Sequence, residues 1–191
     1  ERYAQSDITL EPKKVYLVKE DEDNQAHELF ISTLNQGYAG LGFLKDNPLT
    51  FKKKYNLEKT SFVWLTKTPS DDAPAETNIE TIEKLMGEFM EKSPKSAMLI
   101  EKLDYLISQN TFEKVIQWIH HIKDLALEKE SIIILSINPN VIDEKKLAAL
   151  ESQAIDIFGK YLKSKVELEE KEMEILKYIN EQNIQNKLIS F

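Results

Sequence analysis

The chain predicts an α/β fold: a mostly parallel, five-stranded, doubly wound sheet with a helical extension at its C-terminus. Three observations carry this. Short, continuous apolar runs such as Ile132-Ile133-Ile134-Leu135-Ser136-Ile137 recur between segments whose apolar residues repeat at helical spacing. The strand runs do not alternate polar and apolar, as they would if one face met water, so both faces of the sheet are covered. The two patterns alternate over residues 14 to 142, as in consecutive β-α-β units.

Residues 1 to 13 are a polar lead-in ending near Glu11-Pro12, where the proline biases the preceding residue to extended geometry. Val15-Tyr16-Leu17-Val18 is the first strand. Ala26, Leu29, Phe30 and Leu34 then mark one face of a helix that Gly37 stops, and Leu41-Gly42-Phe43-Leu44 is the second strand. Asn47-Pro48 opens a short helix to Tyr55, and Ser61 to Thr66 is the third strand. Residues 67 to 77, with Thr68-Pro69-Ser70-Asp71-Asp72-Ala73-Pro74, have loop composition. Asn78 caps a helix with Ile79, Ile82, Leu85, Met86 and Phe89 inward, and Ala97-Met98-Leu99-Ile100 is the fourth strand. Thr111 caps the longest helix, with Phe112, Val115, Ile116, Ile119, Ile122 and Leu125 or Ala126 inward, leading to the fifth strand at Ile132. A last core helix starts at Asp143 and runs through Leu147, Leu150, Ile155 and Phe158 to Gly159. The expected organisation is therefore a lead-in (1–13), an α/β domain (14–159) and a helical extension (160–191).

Composition narrows the chemistry. The 191 residues include no cysteine, which removes disulfides, thiolate catalysis and zinc sites built on Cys, and makes a cytoplasmic location the expectation. The net charge of −8 works against the phosphate attraction that underlies most nucleic-acid affinity, so no direct nucleic-acid binding is expected of this segment. No apolar run reaches the ~20 residues that cross a bilayer. The chain starts at Glu1 rather than Met, which suggests a piece of a longer protein with room upstream for a domain or a membrane anchor.

The connection after the first strand, Lys19-Glu20-Asp21-Glu22-Asp23-Asn24-Gln25, is the most informative stretch. In a parallel α/β fold this crossing is where backbone N–H groups of a glycine-rich loop and a lysine hold a nucleotide's phosphates. Here it has no glycine and four carboxylates, so a polyphosphate would meet like charge.

The order of elements is similar to the RecA/KaiC-like ATPase core. Leu10-Glu11-Pro12-Lys13-Lys14-Val15-Tyr16-Leu17-Val18, Gly37-Tyr38-Ala39-Gly40-Leu41, Leu57-Glu58-Lys59-Thr60 with Trp64-Leu65-Thr66, and above all Leu103-Asp104-Tyr105-Leu106-Ile107-Ser108-Gln109-Asn110 resemble the archaeal family called domain of unknown function 835. Ser136-Ile137-Asn138-Pro139 and Leu147-Ala148-Ala149-Leu150-Glu151 extend the resemblance over residues 10 to 158. It implies a RecA/P-loop-NTPase-like fold and an archaeal protein of a family with no assigned activity, often joined to membrane, signalling or DNA-binding modules. Against the ATPase pattern the chain departs at each chemical position. The phosphate loop lacks its glycines and Lys-Ser/Thr end, Lys45-Asp46-Asn47 stands where paired glutamates would, and Glu101 keeps the acidic position that helps hold Mg²⁺ but is followed by Lys102. The C-terminal stretch Val166 to Ile179 resembles the first helix of a winged helix-turn-helix, with no recognition helix after it.

These features predict no catalytic residue, no cofactor and no resident metal: a pseudo-ATPase in the sense of a fold kept without its chemistry. The weak candidates are Asp21, Glu22 and Asp23 for a cation, against a solvated acidic helix start that complements the helix dipole, and Asp46, Glu101 and Asp104 for a nucleotide or acid–base site, against turn capping and pairing with Lys102 or another basic side chain. His120 and His121 diverge by about 100° on a helix and cannot share a metal, and with His27 the third and last histidine no triad is supported. Trp64 and Trp118 read as core or interface residues. Leu168, Ile175, Leu176 and Ile179 form an apolar stripe on a charged helix, to be covered by the same domain, by a second copy or by a neighbouring module. The functional expectation is a non-catalytic regulatory or protein-interaction module. The alternatives are a transcription regulator whose DNA-reading half is absent here, and a nucleotide-binding enzyme with an unconventional acidic site.

Overall fold

A computed structural model of the chain describes residues 8–21, 24–68, 71, 73–157 and 171–178. The chain divides into two compact units, Glu1–Asp156 and Ile157–Phe191. In the first unit, the described residues build six strands and six helices in the order β1 (Lys14–Lys19), α1 (Gln25–Asn35), β2 (Ala39–Leu44), α2 (Pro48–Tyr55), β3 (Ser61–Trp64), α3 (Ile79–Lys92), β4 (Ser96–Ile100), α4 (Leu103–Gln109), α5 (Phe112–Glu128), β5 (Ile132–Ile137), α6 (Glu144–Glu151) and β6 (Ile155–Asp156). All pairings are parallel, in the order β3-β2-β4-β5-β1-β6.

Side-chain alternation along the strands splits the apolar residues between two cores. Val15, Leu17, Leu41, Phe43, Met98, Ile100, Ile133 and Leu135 meet Ile82, Met86 and Met90 of α3 and Val115, Trp118, Ile119 and Ile122 of α5. The intervening strand residues, among them Tyr16, Val18, Leu44, Leu99 and Ile134, are as fully buried, alongside Ala26, Leu29 and Phe30 of α1. Each such side chain contributes about 1.5–3 kcal/mol by leaving water. Gly42 matters on the α2 side: a Cβ there would stand 2.5 Å from the Phe62 ring, so the missing side chain is what lets that ring lie on β2.

Local chemistry fixes the helix starts that the sequence predicts. Asn47 Oδ1 accepts from Leu49 N–H at 2.9 Å with Pro48 in the first turn, Asn78 Oδ1 accepts from Thr81 N–H at 2.9 Å, Thr111 Oγ1 from Lys114 N–H at 3.3 Å and Asp143 Oδ1 from Lys146 N–H at 2.9 Å. Gly37 ends α1 at φ +88°, a conformation that side chains disfavour.

The sheet has six strands where the sequence predicts five. The helix from Asp143 stops at Glu151 rather than reaching Gly159, and Ile155–Asp156 pairs with Tyr16 and Leu17. Lys19 explains the anchoring: its Nζ lies 2.6 Å from Glu151 and 2.9 Å from Asp156, tying the end of α6 and β6 to β1. The far end of the stretch after β3 returns to that strand: Trp64 N–H donates to Pro74 C=O at 2.7 Å and Glu76 N–H to Trp64 C=O at 3.0 Å, pairing residues 74–76 with the outer edge of β3.

In the second unit the described residues are Ile157 and a helical stretch, 171–178, whose Met173, Ile175, Leu176 and Tyr178 are all exposed. Leu168 and Ile179 of the predicted stripe lie outside the described residues. No helix among the described residues is long and apolar enough to cross a membrane.

Candidate functional site at the carboxyl edge of the sheet

Open parallel sheets place ligands beyond the carboxyl ends of neighbouring strands whose connections leave toward opposite faces. Here β1 leads to α1, which packs on β4 and β5, whereas β5, its neighbour, leads to α6, which packs on α5 over the other face. The edge formed by residues 19–21, 45–46, 101–104 and 136–140 is therefore where this fold would place a ligand.

Its centre is filled by two buried glutamates. Glu20, directly after β1, is 7% exposed, and its Oε2 accepts from Ala26 N–H at 3.0 Å. That N–H is one of the free donors of the first turn of α1, and the N-cap residue Asn24 makes no side-chain capping bond, so Glu20 supplies the anion for this helix end from the preceding strand. Burial pushes the Glu20 carboxyl above its ordinary value, against the pull of Ala26 N–H, His27, the Ser136 hydroxyl and Lys102. Ser136, fully buried, accepts in turn from Lys102 N–H at 3.1 Å.

Glu101, directly after β4, is 3% exposed. Its Oε2 accepts from Lys45 N–H at 2.7 Å and from Asp46 N–H at 3.4 Å, and its Oε1 stands 2.9 Å from His27 Nε2. One carboxylate thus joins the first turn of α1, the turn between β2 and α2, and the end of β4. Burial acts to raise its pKa, but the hydrogen bond and charge of His27, with the two backbone N–H groups, outweigh burial and hold it below its ordinary value. His27 is 5% exposed, with its ring edge-on to Phe51 at 4.8 Å and to Tyr55 at 6.1 Å between centroids.

The remaining groups of the edge are also engaged. Lys102 sits in the left-handed region at φ +53°, and its Nζ donates to the Asp21 carbonyl at 3.2 Å across the β1–α1 connection. Asp21 Oδ1 accepts from Asn138 Nδ2 at 2.6 Å, and Asp104 Oδ1 from Asn138 N–H at 3.1 Å. Lys45 Nζ lies 4.5 Å from the centre of the Tyr105 ring.

Against these positions the sequence-level candidates separate. Of the cation trio, Asp21 is bound to Asn138, while Glu22 and Asp23 lie outside the described residues. No group of three metal-ligating side chains gathers among the described residues. Asp46, Glu101 and Asp104 go to different partners: Asp46 contributes its backbone N–H and exposes its side chain, Glu101 faces α1 and the β2–α2 turn, and Asp104 faces β5. Glu101 pairs with His27 rather than Lys102, because Lys102 turns back over β1. His120 and His121 are both exposed, with His121 Nδ1 3.5 Å from Glu83. Trp118 is core, and Trp64 is half-buried with its indole N–H donating to Lys45 C=O at 3.1 Å. His27 and Glu20 carry the site, and the sequence reading assigns neither of them a role in it. The one signal for them was position, since both fall within eight residues at the first crossover.

The fold itself has solved counterparts. The chain is similar to the flagellar accessory protein FlaH from Methanocaldococcus jannaschii, at 15% identity and a TM-score of 0.55, covering 76% of this chain and 70% of that one. It is also similar to the KaiC-like protein PH0186 from Pyrococcus horikoshii OT3, at 12% identity and a TM-score of 0.53, covering 75% and 70%. Both likenesses establish the RecA/KaiC-like α/β fold. No curated protein matches. The family model described as protein of unknown function (DUF835) matches residues 19–153, which takes in β1's end, all of the edge described above and α6. The chain belongs to the DUF835 family.

Proposed function

We propose that this chain is a non-catalytic module with an ATPase fold, acting by binding other proteins. The observation that carries the reading is the Glu20 carboxylate on the Ala26 N–H, buried at the N-terminus of α1. A helix N-terminus at a β-α crossing is an anion site by virtue of its free N–H groups and dipole, and in this chain the anion is supplied internally. A triphosphate would have to displace Glu20, detach Lys102 from the Asp21 carbonyl and settle on a connection with no glycine. Glu101, the one acidic group in the Mg²⁺-holding position, already accepts three N–H groups.

The exposed Ile175 and Leu176, with Met173 and Tyr178 beside them, support a protein partner at the helical extension. A second copy and a different module are both consistent with so short a stripe, and the reading assigns the contact to this helix rather than to the carboxyl edge. Thermal shift with millimolar Mg-ATP and Mg-ADP tests the first half, since any ligand that binds the native state raises its melting temperature. No shift is expected, and a concentration-dependent rise would return the chain to the nucleotide-binding enzymes. Light scattering of wild type and the Ile175→Asp/Leu176→Asp pair tests the second half. A wild-type dimer that the pair dissociates would identify the partner as a second copy, and a monomer in both would place the partner in another protein.

A further inference from the structure

We propose that the His27–Glu101 pair is an acid-sensitive latch that holds the β2–α2 turn and the first turn of α1 over the carboxyl edge of the sheet. The latch is a matter of donors and acceptors. Among the described residues, every group hydrogen-bonded to the Glu101 carboxylate is an N–H: Lys45 at 2.7 Å, Asp46 at 3.4 Å, His27 Nε2 at 2.9 Å. An ionised carboxylate, an acceptor on both oxygens, satisfies all of them. The neutral acid carries an O–H that must find an acceptor, and among the described residues the three groups bonded to this carboxyl are donors. The charged imidazole whose pull holds Glu101 ionised donates at both ring nitrogens and so offers the neutral acid no acceptor at Nε2, and its ring lies against Phe51 and Tyr55. A buried donor left unpaired is costly, so protonation at Glu101 breaks a bond either to α1 or to the β2–α2 turn.

The surrounding charges set the conditions under which this happens. From β1 the neighbour of His27 is Glu20, from the β4–α4 junction Lys102 acts on Glu20, from the β1–α1 connection Asp21 binds Lys102 through its carbonyl, and from α2 the facing group is the Tyr55 hydroxyl, itself buried without a partner among the described residues. Lys45 and Asp46 face Glu101 with backbone N–H groups only. The hydrogen bond and charge of His27 favour the ionised form of Glu101 over the pull of burial, so the latch stays shut through neutral pH and opens on acidification. Opening would free Lys45 and Asp46 from β4, and with them the carbonyl that Trp64 holds. The latch concerns the turn at β2 and stands whether or not a nucleotide binds at β1.

Trp64 makes the event visible, because its indole N–H is bonded to the Lys45 carbonyl and the chain's other tryptophan, Trp118, is in the core and can be subtracted with a Trp64→Phe control. Tryptophan emission and far-UV circular dichroism are followed together from pH 7.5 downward in wild type and in His27→Gln, which keeps a donor for Glu101 and removes the imidazole charge. The Trp64 signal is expected to move while the dichroism is still native, and in His27→Gln its midpoint is expected to rise by about one pH unit. Glu101→Gln, which presents an N–H₂ to the same donors, should show the opened emission already at pH 7.5. Coincident loss of both signals in wild type, or an unchanged midpoint in His27→Gln, would overturn the latch.

Discussion

The two strands that flank β5 each end in a buried glutamate, and the two glutamates behave in opposite ways. Glu20 after β1 faces a single helix N–H and a serine hydroxyl, and burial pushes its pKa up. Glu101 after β4 faces His27 and two N–H groups of a turn, and these outweigh burial and hold its pKa down. The difference teaches that burial alone does not decide the state of a carboxylate; the number and kind of donors that reach it do. It also separates two jobs at one edge. Glu20 occupies an anion site, and Glu101 ties three elements together.

The sharpest way to break this comparison is to delete Glu101. Glu101→Ala leaves the buried His27 Nε2 and the half-buried Lys45 N–H without their acceptor, and removing one partner of a buried pair is expected to cost about 3–5 kcal/mol, read as a fall in the urea midpoint at unchanged slope. A loss below about 1 kcal/mol, the level of an exposed ion pair, would put Glu101 among ordinary surface carboxylates. Glu20→Ala removes the anion from α1 and should cost about 1 kcal/mol, as the loss of a helix cap does. Were it to cost as much as Glu101→Ala, the division between anchor and anion would fail.

The pH dependence sharpens the same contrast. Because the folded pKa of Glu101 lies below the ordinary 4.5, the stability it contributes is present above pH 4.5 and is lost as pH falls through its folded value. Glu20 runs the other way: its folded pKa is raised, so its contribution is present below pH 4.5 and lost as pH rises through the folded value. Glu20→Gln, which keeps an oxygen for Ala26 N–H, should therefore be as stable as wild type at pH 7 or more so, by up to about 1 kcal/mol, with the gap closing toward pH 4.5. A gap that widens on acidification would reverse the assignment. The smallest effect is expected from Leu176→Asp in the exposed helix, within about 0.5 kcal/mol of wild-type stability for the sheet unit, and a larger loss would give that helix a structural part in the fold.

How legible each of these features was in the sequence follows from the range of the interaction behind it. The caps at Asn47, Asn78, Thr111 and Asp143 act over two or three residues, so residue type and spacing suffice to place them. Five strands announce themselves as apolar runs, whereas Ile155–Asp156 is two residues held by Lys19 from far along the chain and carries no run to read. At the site, the acidic, glycine-free connection was visible, but Glu20 looked the same as Asp21 beside it. Which one turns inward is decided by the end of β1 and the position of α1, and only the folded chain reveals it. His27 and Glu101 are 74 residues apart, with no local pattern linking them. Sequence grounds offer Lys102 or another basic side chain as the partner; the Lys102 side chain goes to the Asp21 carbonyl instead, and His27 is the one that pairs.

The central claim, that the first helix already holds its anion, is tested most directly by crystals grown with saturating Mg-ATP. The Glu20 carboxylate is expected to remain within hydrogen-bond distance of Ala26 N–H, with no triphosphate on the β1–α1 connection. Density for the phosphates on the first-turn N–H groups of α1, with Glu20 swung away, would contradict it.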